Sequence, residues 1–333
     1  MKAMRLICCG EPLGLAELTP PEPAADEVRI RVAACGVCHS DLHIADGELK
    51  CPLPRTLGHE VTGTVEALGA EVTALKIGDR VGIPWVSWTC GNCEWCTSGH
   101  EQLCPTQKIT GFTVDGGYAE SIIAAASHAA RLPDALSLEQ AAPLLCAGLT
   151  VYKALKSAQI KAGQRLAVFG AGGLGHLAIQ LGVHFGAEVI AVDVNESKLG
   201  LARELGAAHV INASAEAADK VIRKLGGAHV ALVTPASAAA YETAFRSVRP
   251  RGVVAGVGMP QAAVPVNMVA LATKEITLIT STVGTRADLA ELLMLAAAGK
   301  VVCRIETRPL NQANTALEDL RAGRVLGRLV LVP

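Results

Sequence analysis

The sequence predicts an α/β protein: a doubly wound parallel sheet joined to a mostly β domain that carries a small cysteine-rich lobe. Three observations carry that expectation. From Arg165 onward, short apolar runs alternate with segments of helical period. Up to about residue 150 the apolar runs are short and broken by Gly and Pro. Between them, residues 90–104 read CGNCEWCTSGHEQLC, four cysteines in close order. At 333 residues the chain is long for one hydrophobic core, so two domains are expected.

In the first part the β-like runs are Glu27–Val32, Val61–Leu68 and Tyr118–Ala124, and no sustained helical period appears before LSLEQAAPLLCAGLTVYKALKSA. The second part opens with RLAVFG, then GLGHLAIQLGVHFG with helical spacing. EVIAVD, HVINA, HVALVT, RGVVAGVG and EITLITS read as further strands. ESKLGLARELG, EAADKVIRKLGG and AAAYETAFRSV read as the helices between them. Strands separated by helices of about ten residues or more mean βαβ units, and right-handed crossovers make the sheet doubly wound. After Gly284 come a helix at Ala287–Ala298, a strand near Val302–Arg308, a helix near Gln312–Arg321 and a last strand, RLVLV. Periodicity alone leaves open which domain this tail joins.

Lys plus Arg number 30 and Asp plus Glu 31, for a net charge of −1, with no basic stripe; nucleic acid is not an expected partner. The N-terminus lacks the apolar core of a signal peptide. Leu166–Ala187 and Gly252–Thr273 carry no Asp, Glu, Lys or Arg, but Gly interrupts both and Pro the second. They read as buried strands with turns rather than membrane spans. Eleven cysteines without a secretion signal point to a reducing, cytoplasmic setting, where clustered Cys more often binds metal than forms disulfides.

Cys90, Cys93, Cys96 and Cys104 can converge four thiolates on one tetrahedral zinc ion, which leaves no open position and makes the site structural. An iron–sulfur cluster is the rival for this spacing. CGVCHSDLH, residues 35–43, raises a different question. A redox dithiol needs its Cys-x-x-Cys in a small βαβ fold, and here the βαβ part lies far downstream. A metal site would need ligands from elsewhere, and His59 in LGHEVTG and Cys146 in PLLCAGLT are candidates. Taken singly, Cys146 reads as a small core residue and His59 as a turn residue.

Gly170-Ala-Gly172-Gly173-Leu174-Gly175 is a G-x-G-x-x-G that follows a strand and opens a helix, the setting in which it cradles a pyrophosphate. Asp193 ends the next strand about 20 residues on, placed to bind a ribose diol and to repel a 2′-phosphate, so NAD is preferred over NADP.

CGVCHSDLH, GHEVTGTVEALGAEV, the four-Cys lobe, PLLCAGLTVYKAL and GAGGLG stand in one order over essentially the whole chain. Together they resemble the zinc-dependent alcohol dehydrogenases of the medium-chain dehydrogenase/reductase superfamily, closest to the bacterial and yeast type. The resemblance implies a Rossmann domain over residues 151–282 and a GroES-like catalytic domain over residues 1–150 and 283–333, with its zinc lobe at 88–105. It implies catalytic zinc on Cys38, His59 and Cys146, a ligand set known to serve alcohol dehydrogenase. Cys35 is no ligand in that pattern. Asp41 would orient His59, and Glu60 would lie behind the metal.

It further implies a proton relay from Ser40 to His43, and substrate contacts at Leu49 and Trp85. Cofactor contacts are implied at His39, Thr150, Lys198 and Arg328, beside the glycine-rich turn and Asp193. Leu49 stands where close relatives often have an aromatic, which implies a differently shaped pocket. The expected activity is reversible oxidation of alcohols to aldehydes or ketones with NAD, two zinc ions per subunit, and a homo-oligomer, a tetramer in the bacterial type. Polyol or allylic and aromatic alcohol oxidation on the same scaffold is the enzymatic rival. A non-catalytic zinc- and dinucleotide-binding protein is the other.

Overall fold

The six strands of the second part form one parallel sheet in the order His209–Asn212, Glu188–Asp193, Arg165–Phe169, Ala228–Val233, Val248–Gly256, Thr277–Thr280. Growth of the sheet reverses between Arg165–Phe169 and Ala228–Val233, the switch point at which such sheets open a ligand crevice. Leu166, Ala167, Val168 and Phe169 are all buried, as a strand covered on both faces must be. Asn195 and Ser237 accept backbone N–H groups at the starts of the helices Glu196–Glu204 and Ala238–Ser247. Caps of this kind contribute about 1 kcal/mol each.

The computed structural model describes residues 1–333 and divides into two units. One holds Met1–Ala147, Thr285–Ala298 and Cys303–Pro333; the other holds Gly148–Gly284 and Gly299–Val302. The first unit is built on a sheet in which Glu27–Gly36 lies between Glu60–Leu68 and Arg328–Val332, antiparallel to both. Ile305–Pro309 then pairs in parallel with Arg328–Val332 across the helix Ala313–Arg321. The tail left open by periodicity therefore enters the first sheet. Ile30, Leu57, Val61, Ile83, Tyr118 and Leu331 form part of its core, each fully buried. Burial of a side chain of this size contributes about 1.5–3 kcal/mol.

Two expectations change. LSLEQAAPLLCAGLTVYKALKSA is not one helix. It is a short turn of helix (Leu138–Ala141), a 3-10 turn (Ala142–Leu145) and the helix Ala147–Ser157. Pro143 has no N–H to continue an α-helix, and Cys146 sits at the break with φ −130° and ψ −67°. Nor is Gly252–Thr273 buried throughout. Only its start, to Gly256, lies in a mostly buried strand, and Met259, Met268 and Val269 are exposed around the helix Met268–Lys274. In sequence that helix precedes the edge strand Thr277–Thr280, which has a sheet neighbour on one side only. No helix is long and apolar enough to cross a membrane.

Candidate metal centres and glycine-rich turn

Cys38, the adjacent pair His59 and Glu60, and Cys146 come from three separate stretches of sequence and put one ligand atom each within 4.8 Å of one another. Cys38 precedes the helix His39–Ala45, and Asp41 in its first turn accepts the Cys38 N–H on Oδ2 at 2.9 Å. His59 follows Gly58, whose φ of +92° suits glycine; a Cβ there would lie 2.4 Å from the Tyr118 ring. Cys146 is turned in by the helix break at Pro143. Cys35 is buried but outside the cluster.

A cation fits this centre on chemical grounds. Both ring nitrogens of fully buried His59 lack a hydrogen-bond partner. Asp41 Oδ1 stands 3.3 Å from Nδ1, which favours a proton there and leaves Nε2 as the ligand atom. Hydrogen bonding from Cys146, aided by His59, holds the Cys38 thiol well below its ordinary range against the effect of burial. The same contact, with burial, pushes Cys146 well up. Burial opposes charge on His59, but Asp41 and Cys38 outweigh it and hold the ring well above the imidazole range. Two thiols and an imidazole that compete for protons in a dry site suit a divalent ion that replaces those protons.

Glu60 does not face the cluster alone. Its oxygens lie 2.6 and 2.7 Å from Arg328 Nη2, and Oε1 also accepts the Ala147 N–H. Burial pushes Glu60 up, to about 7, while Arg328 pulls it down and Cys38 adds to the rise. Arg328 is 2 % exposed and Glu60 fully buried, so the pair is dry. The resemblance assigns Arg328 to a pyrophosphate; the structure puts its guanidinium on Glu60. Gly36 leaves room for that pair, since a Cβ would meet Glu60 Oε2 at 1.8 Å.

Ser40 Oγ lies 4.0 Å from Cys38 Sγ. His43 is partly exposed, and Glu48 Oε2 holds its Nδ1 at 2.5 Å. Leu49 packs half-buried against the first core. Trp85 meets the His59 ring edge-on at 4.7 Å and stacks on Phe112 at 6.2 Å. His39 is exposed at the helix start. Sequence reasoning missed Glu48, Phe112, Tyr118 and the Arg328–Glu60 pair.

In the lobe, Cys90–Cys96, Cys93–Cys96 and Cys90–Cys104 sulfurs stand 3.9, 3.5 and 3.6 Å apart, and none is in a disulfide. A single tetrahedral ion with bonds of about 2.3 Å requires sulfur edges of about 3.8 Å. An iron–sulfur cage would need wider spacing. Only Gln102 and Cys104 are buried between residues 90 and 104, so the lobe has no core of its own. Arg286 ties it down: its Nε and Nη2 donate to the two oxygens of Glu101, and Nη1 donates to the Ser127 carbonyl.

Beside that clamp, His128 is buried between Thr89 and Ser127, whose hydroxyls lie 3.2 and 2.9 Å from its ring nitrogens. Burial, with Arg286, lowers it to about 4 from 6.5, and Glu101 only partly offsets this. The folded state keeps the ring neutral, so the unfolded chain binds the extra proton between those values. Stability is full above about pH 6.5 and falls toward pH 4, by about 3 kcal/mol in all. We expect His128→Gln to flatten that difference in unfolding titrations run against the native protein from pH 7 to 4; equal slopes would refute it.

The glycine-rich turn lies after the strand Arg165–Phe169. Gly170 has φ +83° and abuts Thr234, and a Cβ on Gly175 would meet the Gly170 carbonyl at 1.8 Å. Gly172 is open, with only the Lys198 amine nearby, 3.8 Å from where a Cβ would be. Gly173 and Leu174 lead into the helix Gly175–His184. Asp193 accepts the Ala171 N–H at 2.7 Å on one oxygen and the Val194 and Asn195 N–H groups on the other. Its carboxylate is thereby fixed beside the turn. Thr150 is half-buried in the helix Ala147–Ser157.

Residues 24–134 match the family described as alcohol dehydrogenase GroES-like domain, and residues 173–298 that described as zinc-binding dehydrogenase. An alcohol dehydrogenase of Geobacillus stearothermophilus is 45 % identical, with 99 % of each chain covered. The alcohol dehydrogenase of the hyperthermophilic archaeon Aeropyrum pernix superposes with a TM-score of 0.93 at 36 % identity, all of both chains covered. A structure described as an NAD-dependent alcohol dehydrogenase gives 0.94 at 29 % identity, again over all of both chains.

Proposed function

The chain belongs to the zinc-dependent alcohol dehydrogenases of the medium-chain superfamily, and on that premise we propose how its own residues serve the reaction. The activity is the reversible oxidation of an alcohol to an aldehyde or ketone, with NAD as hydride acceptor. The convergence of Cys38, Cys146 and a buried His59 whose ring nitrogens make no hydrogen bond carries this reading. Polyols and allylic or aromatic alcohols are not favoured as the natural class, since the 45 % identical relative is named plainly as an alcohol dehydrogenase.

Cys38, His59 and Cys146 would hold the catalytic zinc, and the four lobe cysteines the structural one. When bound, zinc supplies a Lewis acid that makes the alcohol proton easier to lose, and NAD supplies the hydride acceptor. The two thiolates offset the ion's charge and so moderate its acidity. Asp41 orients His59. Ser40 takes the alcohol proton as its own passes on toward His43, held by Glu48, and so to solvent. Leu49 and Trp85 wall the substrate, and Thr150 contacts the nicotinamide side. Gly170, Gly172, Gly173, Leu174 and Gly175 cradle the pyrophosphate; His39 is a cofactor contact by the family resemblance, and Arg328 instead stays on Glu60. Asp193 and Lys198 hold the adenosine ribose.

Subunits associate as a homo-oligomer, a tetramer by the family resemblance. The exposed Met268, Val269 and Leu278 around the edge strand support contact between copies there. Eleven free cysteines support a cytoplasmic setting.

The test is metal analysis with coupled assays over a panel of alcohols. We expect two zinc ions per chain, and kcat/KM with NAD well above that with NADP. Asp193→Ser should lower kcat/KM for NAD by about 10–100-fold, the loss of hydrogen bonds to a charged group, and narrow the gap to NADP. Absence of alcohol-dependent NAD reduction would overturn the function. An unchanged cofactor ratio in the variant would overturn the role of Asp193.

A further inference from the structure

Asp41 is fully buried, and its contacts account for about all the acceptor sites a carboxylate has. Oδ1 takes the Gly58 N–H at 3.1 Å and lies 3.3 Å from His59 Nδ1. Oδ2 takes the Cys38 N–H at 2.9 Å and the Tyr118 hydroxyl at 3.0 Å. Two of these partners are backbone amides of the loops that carry the metal ligands. The fourth comes from 77 residues away, and its ring is among the largest fully buried side chains.

The backbone fixes where that ring stands. The Tyr118 N–H donates to the Leu57 carbonyl at 2.9 Å, and the Gly117 N–H to the Gly58 carbonyl at 2.8 Å. Gly58 and Gly117 lack the Cβ atoms that would crowd the ring and Val61 respectively. Tyr118 is thus clamped along the Leu57–Gly58 segment, beside the histidine, with its hydroxyl on Asp41. A phenylalanine would fill the same space and leave Asp41 with one donor on Oδ2.

We propose that Tyr118 is a positioning residue of the metal centre: its hydroxyl locks the Asp41 carboxylate, and through it the ring orientation and tautomer of His59. This rests on the reading of Cys38, His59 and Cys146 as zinc ligands. A carboxylate free to rotate about its last bond would no longer face Nδ1 from 3.3 Å, and Nε2 would be presented less often to the ion. Outer partners of metal ligands contribute about 10–100-fold in affinity, and a group one step further out belongs at the lower end of that range.

The test compares native protein with Tyr118→Phe, each carrying its metal, in competition with a chelator while zinc per chain is counted. The same pair is then examined with cobalt in place of zinc, where the visible absorption reports the ligand field. We expect the Tyr118→Phe centre to lose its ion at about tenfold lower chelator concentration, with an altered cobalt spectrum, while the four-Cys lobe keeps its ion. In an Asp41→Asn background the hydroxyl should no longer matter, so the second substitution adds little. Two results would overturn the proposal: unchanged metal retention in Tyr118→Phe, or an equal loss when it is added to Asp41→Asn. Native protein holding zinc at the lobe alone would overturn the ligand reading itself, and with it this proposal. That outcome is told apart because it appears before any substitution is made.

Discussion

Cys146→Ser releases one of the two zinc ions and lowers kcat/KM by about 10³-fold or more. Cys146 is one of two sulfurs at a centre that also holds a single imidazole. A serine hydroxyl remains protonated near neutral pH and offers no compensating charge. The site then faces a divalent ion with one thiolate, and affinity falls. What is lost with the ion is Lewis-acid stabilisation of several kcal/mol, and each 1.36 kcal/mol is tenfold in rate. The lobe cysteines are separate in sequence and keep their own ion, so metal analysis should read one zinc per chain rather than two. Cys35→Ser is the matched control: it removes a buried thiol that lies outside the cluster, and the metal count should stay at two. Full activity in Cys146→Ser, or loss of both ions, would refute the assignment.

Glu60→Leu destabilises the protein by about 3–5 kcal/mol, because it strands the Arg328 cation in the interior. The two groups meet through paired short contacts, and neither reaches solvent. The contacts raise the Arg328 guanidinium further above its ordinary range, against the effect of burial. Removing the carboxylate therefore leaves a charge that cannot neutralise itself. Arg328→Met alone is gentler, since Glu60 can take up a proton. The double variant Glu60→Leu/Arg328→Met should recover much of the loss, as apolar replacements of buried ion pairs often do. Denaturant unfolding of metal-free protein at pH 7 separates this from effects on the zinc. A double variant as unstable as the sum of the singles would show that the two residues act independently.

The parallel sheet was legible because its strands are short apolar runs bounded by glycine and by capping residues such as Asn195 and Ser237. The glycine-rich turn was legible because Gly170 and Gly175 each answer a steric need that no other residue meets. The lobe was legible from local spacing alone. The ligand set of the other centre was legible only through family resemblance: nothing in the apolar pattern around Cys146 marks a break that aims it at Cys38. Pro143 was the available signal, and helical periodicity on both sides masked it. Partners such as Tyr118 for Asp41 and Arg328 for Glu60 left no local trace, since hydrogen bonds across 77 and 268 residues have no periodicity. The exposed Met268 and Val269 were misread because an apolar run looks alike whether or not its own chain covers it.

The placement of Arg328–Val332 inside the first sheet has a consequence for biosynthesis. Glu60 leaves the ribosome 268 residues ahead of its cation, which at about 5–20 residues per second is a wait of roughly 13–54 s. Throughout that interval the nascent β sheet lacks the Arg328–Val332 neighbour of Cys35 and Gly36, the end of the strand Glu27–Gly36 that leads into Cys38. The parallel sheet, complete by Thr280, emerges before its elder neighbour can close.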